Sequence, residues 1–162
     1  MNKGKIKKII LWIIVIAVAM VIFCFSAQNA EDSARTSGRF LKVVLGMFPG
    51  FHNMTVTKQN EVIASFMTAA RKCAHFCIYG FFGFWLYFLA RQYKPKFSVI
   101  IAVAAAFIYS VTDELHQALV SGRSCQFRDM CIDTVGAFAG VIVALLVRAL
   151  WQKLRKRRAR GK

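Results

Sequence analysis

A chain of 162 residues, 57% hydrophobic and 19% charged, is too short for more than one domain of ordinary size. Its apolar residues run in long blocks with the charges gathered between them, which excludes a soluble globular domain and gives the composition of a membrane protein. The formal charge of +16 sits in short blocks flanking those runs rather than interleaved with aromatics on one face, so the basic balance points to lipid headgroups and not to nucleic acid.

The first element is set by Lys3, Lys5, Lys7 and Lys8, followed by an unbroken apolar run of 17 residues from Ile9 to Phe25. The run is longer than a signal-peptide core. The segment Ser26-Ala27-Gln28-Asn29-Ala30 is also a poor cleavage site, because Gln28 or Phe25 falls where a small residue is needed. A retained first span is predicted over 9–25. From 26 to about 71 the chain is polar to amphipathic. Arg35, Arg39 and Lys42 alternate with Phe40, Val43, Val44, Met47 and Phe48, a pattern that predicts a short helix lying in the membrane interface and ended by Gly46, Pro49 and Gly50. A second polar helix is expected to start near Thr57 and run into the next span.

Three further spans follow. The second, 75–90, is rich in Phe, Trp and Tyr and stops at Arg91, Lys94 and Lys96. The third, 97–120, is uncharged for its first fifteen residues and then carries Asp113, Glu114, His116 and Gln117. A turn at Ser121-Gly122-Arg123-Ser124 leads to the fourth, 130–147, with Asp133 in its first turn, and a basic tail fills 148–162. The expected fold is all-α: a polytopic membrane bundle of four helices plus the interfacial amphipathic helix, as one domain. With four spans, the N-terminal lysines, the 91–96 loop and the tail fall on one side. The excess of Lys and Arg there assigns both termini to the cytoplasm.

That topology places the unusual polar residues together at the outer side. Lys72, His75 and Tyr79 enter span two there, at spacings i, i+3 and i, i+4. Asp113, Glu114 and Gln117 leave span three there. Arg123 lies in the outer turn, and Asp129 and Asp133, at i, i+4, open span four. A charge unpaired near the hydrocarbon costs a few kcal/mol or more, so these stripes are expected to face one another. Two readings stay open. Ion pairs could simply fix helix packing, with Arg123 paired to Asp113 or Glu114. The number of groups at one mouth favours a binding or catalytic site. Five cysteines, Cys24, Cys73, Cys77, Cys125 and Cys131, match no zinc module. His75, His116 and the acids are possible ligands, but no zinc-ligand spacing is present, and no metal or cofactor is expected. Cys73 and Cys125 each neighbour a motif residue, which admits a disulfide without fixing a distance. Gly80-x2-Gly83 and Gly136-x3-Gly140 read as sites of close helix contact. Trp12, Trp85 and Trp151 read as belt or packing residues.

The segments Arg71-Lys72-Cys73-Ala74-His75-Phe76-x2-Tyr79, Ser110-x2-Asp113-Glu114-x-His116-Gln117, Gly122-Arg123 and Arg128-Asp129-x3-Asp133-x2-Gly136-x3-Gly140 resemble the VanZ-like family in order and spacing. So does Phe25-Ser26-x-Gln28-x4-Ser33-x3-Ser37, and the resemblance covers roughly 9–147. It departs at Asp133, where many members carry Asn, and at His116, which is not a usual residue of the Asp-Glu-x-x-Gln motif. The resemblance implies a bacterial cell-envelope membrane protein, because the naming member is associated with low-level teicoplanin resistance. The expected partners are membrane lipid, a lipid-linked cell-wall precursor or the glycopeptide itself. The first function considered is binding of such a ligand, with Arg71, Lys72 and Arg123 suited to a phosphate or pyrophosphate. The alternative is a membrane-embedded enzyme with His75 as acid or base and Asp113 or Glu114 orienting it. A transporter is weaker, since no internal repeat is visible.

Overall fold

The computed structural model describes residues 2–160; Gly161 and Lys162 of the basic tail lie outside the described residues. Six helices follow in order: α1 (Lys3–Ser26), α2 (Ala30–Gly46), α3 (Pro49–His52), α4 (Val56–Ala90), α5 (Ser98–Gln117) and α6 (Phe127–Arg160). Four of them, α1, α4, α5 and α6, are long and apolar enough to cross a membrane. The all-α bundle with four spans is therefore the observed architecture. The helix boundaries refine the expected spans. The second span is the C-terminal part of a continuous 35-residue helix. The third stops at Gln117 rather than Val120. The fourth carries its helix on into the basic tail, as far as Arg160. Pro49 does not merely end α2. It opens α3, at a position where a helix has no hydrogen bond to lose.

Local chemistry starts the helices where the sequence changes character. Asn2 accepts the Gly4 N–H at 3.1 Å and Asn29 accepts the Asp32 N–H at 2.8 Å, each satisfying a donor that the first helical turn leaves free. Glu31 and Asp32 add negative charge to the first turn of α2, where the helix dipole favours it.

Each span buries one stripe. On α1 it is Leu11, Val15, Val18, Ile22 and Ser26; on α5 it is Ser98, Ala102, Ala106, Ser110, Asp113, Glu114 and Gln117. Small side chains dominate the α5 stripe because lipid tails are as apolar as a protein core, so helices gain most from close backbone approach. The tightest approach is between α4 and α6. A Cβ added to Gly83, Gly136 or Gly140 would overlap the backbone of Ala137, Phe76 or Gly80 respectively. The two glycine motifs of the sequence thus mesh with each other. Away from these seams the spans expose Ile13, Ile100, Ile108, Leu146 and similar side chains, as a lipid-facing surface does.

Contacts at one end of the bundle fix which termini meet. Trp12 Nε1 donates to the Tyr93 hydroxyl at 3.0 Å, with the Lys8 ammonium 4.6 Å above the Tyr93 ring. Arg148 donates to the Tyr87 hydroxyl at 3.2 Å. The start of α1, the α4–α5 connection and the basic end of α6 therefore share one end of the bundle. Trp12 is tied by this hydrogen bond, while Trp85 packs among Phe81, Phe84 and Phe88.

Amphipathic α2 lies against the N-terminal half of α4, where Gly38 is close to Met67 and Ile63. It buries Leu41 and leaves Phe40, Val43 and, just beyond it, Met47 and Phe48 exposed.

Candidate functional site

The opposite end of the bundle is assembled by the loop between α5 and α6. Gly122 takes φ +74°, a conformation that favours glycine, and any Cβ there would also meet Ala30 at 2.9 Å. The Ala30 N–H donates to the Ser121 carbonyl at 3.3 Å, so this turn docks on the junction of α1 and α2. Arg123 completes the contact. Its Nη1 donates to the carbonyls of Phe25 at 3.3 Å, Ser26 at 3.1 Å and Gln28 at 3.3 Å. These are carbonyls that the end of α1 leaves with free acceptor capacity. The expected pairing of Arg123 with Asp113 or Glu114 is absent among the described residues. Backbone carbonyls at a helix end outcompete the carboxylates because the turn delivers the guanidinium directly onto them. Burial, followed by the neighbouring Arg71 charge, pushes Arg123 below the usual guanidinium range, while Asp113, Glu114 and Asp129 pull it back.

The other polar residues sort into three groups. Lys72 on α4 forms an ion pair with Asp129 on α6. Asp113 accepts the Gln117 amide at 3.2 Å, and that amide also donates to the Ser26 hydroxyl at 3.2 Å, which locks α5 to the end of α1. His75 on α4 places Nδ1 3.5 Å from Asp133 Oδ1 on α6. Asp133 is fully buried, and among the described residues neither of its oxygens has a hydrogen-bond partner. Donor atoms of His75, Asp113 and Asp133 all lie within 4.8 Å of one another.

Two predicted members take other tasks. Glu114 is almost fully buried, and its Oε2 accepts the Gln126 N–H at 2.8 Å immediately before α6. It thus braces the loop. Tyr79 is fully buried, with its ring against Phe82 and Tyr109 and, among the described residues, its hydroxyl without a hydrogen-bond partner. His116 stacks on Phe23, with ring centroids 4.7 Å apart, and stays out of the cluster. The disulfide admitted by the sequence does not form: Cys73 and Cys125 are free, exposed thiols, as are the other three cysteines.

Two cavities meet at this end. A polar pocket of about 120 Å³ is lined by Arg71, Lys72, His75, Arg123, Asp129 and Asp133, among others. An apolar groove of about 490 Å³ runs between α1, α2 and α4, with Ile22, Phe25, Phe40, Ile78 and Phe81 on its walls. Arg71, His75 and Arg123 belong to both. The groove was not anticipated from the sequence, although Ser33 and Ser37, which line it, belong to the polar pattern after the first span.

Residues 11–148 match the VanZ/LLP1 family. The chain belongs to the VanZ/LLP1 family. The matched region runs from the first buried residue of α1 to Arg148 and contains all the polar residues of this mouth. The VanZ/LLP1 membership thus agrees with the resemblance read from the motifs. No curated protein and no solved structure is a significant match to the chain.

Proposed function

We propose that this VanZ/LLP1 protein resides in a bacterial cell membrane with both termini in the cytoplasm and binds an anionic lipid at its outer face. The phosphate or pyrophosphate of the lipid occupies the polar pocket, and its hydrocarbon chain lies in the adjoining groove. The observation that carries this reading is the shared wall: Arg71, His75 and Arg123 line both the polar and the apolar cavity, as an amphiphile would require. Arg123 spends only Nη1 on carbonyls. Among the described residues its Nε and Nη2 make no hydrogen bond, which leaves donors for a phosphate. The orientation rests on the Lys and Arg excess at the opposite end of the bundle. The exposed apolar face of α2 supports its placement in the outer interface.

The test uses the full chain in detergent micelles and compares a polyprenyl phosphate, a phosphatidic acid and a neutral diacylglycerol. Saturable binding of the two phosphorylated lipids, weakened about tenfold or more in Arg71→Ala, is expected; a tenfold loss corresponds to about 1.4 kcal/mol. Equal binding of the diacylglycerol overturns the proposal. If the bound lipid is a cell-wall precursor, expression in a susceptible host raises teicoplanin tolerance, and Arg71→Ala removes the gain. A second reading is favoured by one contact. His75 and Asp133 stand in ion-pair range in the polar pocket, the arrangement of an oriented general base. Chemical change of the bound lipid, read by mass spectrometry in the same experiment, decides for the enzyme; intact lipid decides for the binder.

A further inference from the structure

Three buried carboxylates, Asp113, Glu114 and Asp133, share one end of the bundle. Of the nearby fixed cations Arg71, Lys72 and Arg123, none forms an ion pair with Asp113 or Asp133 among the described residues. Lys72 pairs with Asp129, and Arg123 serves the end of α1. Among the described residues, Asp133 has only His75 within ion-pair distance, and Asp113 has no cationic side chain that close. Burying charge without compensation is costly. Glu114 is offset in part by the Gln126 N–H. Asp133 has no such donor: among the described residues both oxygens are buried without a hydrogen-bond partner, as are His75 Nδ1 and the Tyr79 hydroxyl. Buried polar atoms of α4 and α6 are thus left without a donor or acceptor of their own at this level.

We propose that His75, Asp113 and Asp133 bind a divalent cation in the wall of the polar pocket. Their donor atoms come from α4, α5 and α6 and all lie within 4.8 Å of one another, close to the span required of ligands about 2.0–2.2 Å from a shared ion. One imidazole nitrogen and two carboxylates suit a borderline cation such as Zn²⁺ or Mn²⁺ better than Ca²⁺, which prefers oxygen ligands throughout. Two carboxylates and a neutral imidazole around a divalent ion sum to zero net charge. That removes the charge imbalance at this depth. Three protein ligands leave coordination positions open toward the pocket, which both His75 and Asp133 line. The Gln117 amide, hydrogen-bonded to Asp113, orients that carboxylate from behind. The sequence marks His75 and the acids as possible ligands but shows no metal-ligand spacing, because the three ligands lie on three different helices.

The cation site stands apart from the lipid reading and is tested without lipid. The full chain, purified in a phosphate-free maltoside detergent and stripped with chelator, is titrated with Mn²⁺ while the free-ion electron paramagnetic resonance signal is followed. Uptake of one Mn²⁺ per chain, displaced by Zn²⁺, is expected. Asp133→Asn and Asp113→Asn, both near-isosteric, each weaken uptake at least tenfold, whereas Glu61→Gln on the exposed face of α4 leaves it unchanged. Pulsed spectra of the bound Mn²⁺ in the unaltered protein show coupling to an imidazole nitrogen, which His75→Gln abolishes. This readout does not depend on the aspartate variants folding. Absence of stoichiometric uptake, absence of nitrogen coupling, or equal uptake by Asp113→Asn and Asp133→Asn overturns the site.

Discussion

Arg123 reaches across 97 residues of sequence to place its Nη1 3.1 Å from the Ser26 carbonyl, and so ties the α5–α6 turn to the end of the first span. The same nitrogen serves Phe25 and Gln28, so one corner of the guanidinium does the structural task. Arg123→Ala strands these carbonyls and is expected to destabilise the fold by about 1–3 kcal/mol. Arg123→Lys keeps a charged donor for them but loses the second edge of the fork. It should unfold within a few degrees of the unaltered protein yet bind a phosphorylated lipid about tenfold more weakly. Thermal unfolding followed by tryptophan fluorescence, together with lipid binding, checks both. An Arg123→Lys protein matching the original in each removes Arg123 from the ligand site.

The Lys72–Asp129 ion pair joins α4 to α6 with both side chains largely shielded, at 22% and 24% exposure. Shielding from water makes such a pair costlier to break on one side than a surface pair. Lys72→Met and Asp129→Asn should each destabilise the protein. The double variant should recover part of the loss, with a coupling of about 0.5–3 kcal/mol. Additive losses in a thermal-unfolding cycle would show that the two groups do not act as a pair.

The α4–α6 seam offers a contrast between glycines. A Cβ at Gly140 overlaps the Gly80 carbonyl, whereas a Cβ at Gly50 in α3 meets nothing within 4 Å. Gly140→Ala must push two spans apart and should cost about 1–3 kcal/mol, in the range of other overpacked sites. Gly50→Ala should change stability by no more than about 1 kcal/mol, because only backbone freedom in the unfolded chain is altered. Comparable unfolding temperatures for the two variants would contradict the close approach.

Membrane orientation is open to thiol labelling. Cys125 lies exposed in the α5–α6 loop, and Lys94 lies in the connection at the opposite end. A membrane-impermeant maleimide applied to intact cells should label Cys125. In a background with all five native cysteines replaced by serine, a cysteine substituted for Lys94 should react only after permeabilisation, whereas Cys125 restored alone should react in intact cells. Labelling of both in intact cells would refute the proposed four-span orientation. Since Cys73 and Cys125 are both free, all five cysteines should alkylate after denaturation without reductant, read as five mass additions.

The number of spans, their order and the gathering of cations at one end were all legible along the chain. Each of these follows from runs of apolar residues long enough to cross a hydrocarbon core. The same topology brought Lys72, His75, Asp113, Arg123, Asp129 and Asp133 to one mouth. Gly80, Gly83, Gly136 and Gly140 were also legible as close-contact positions, because a missing side chain inside an apolar helix has few other uses. Which group meets which depends on how the helices pack. Helix rotation and depth choose among several acids at one level, and they gave Asp129 to Lys72, Asp133 to His75 and Glu114 to the Gln126 N–H. The partners of Arg123 are backbone carbonyls, which every residue carries and no side-chain pattern marks. The apolar groove is a space between α1, α2 and α4, and the distance between helices is fixed by packing rather than by any one segment of the chain.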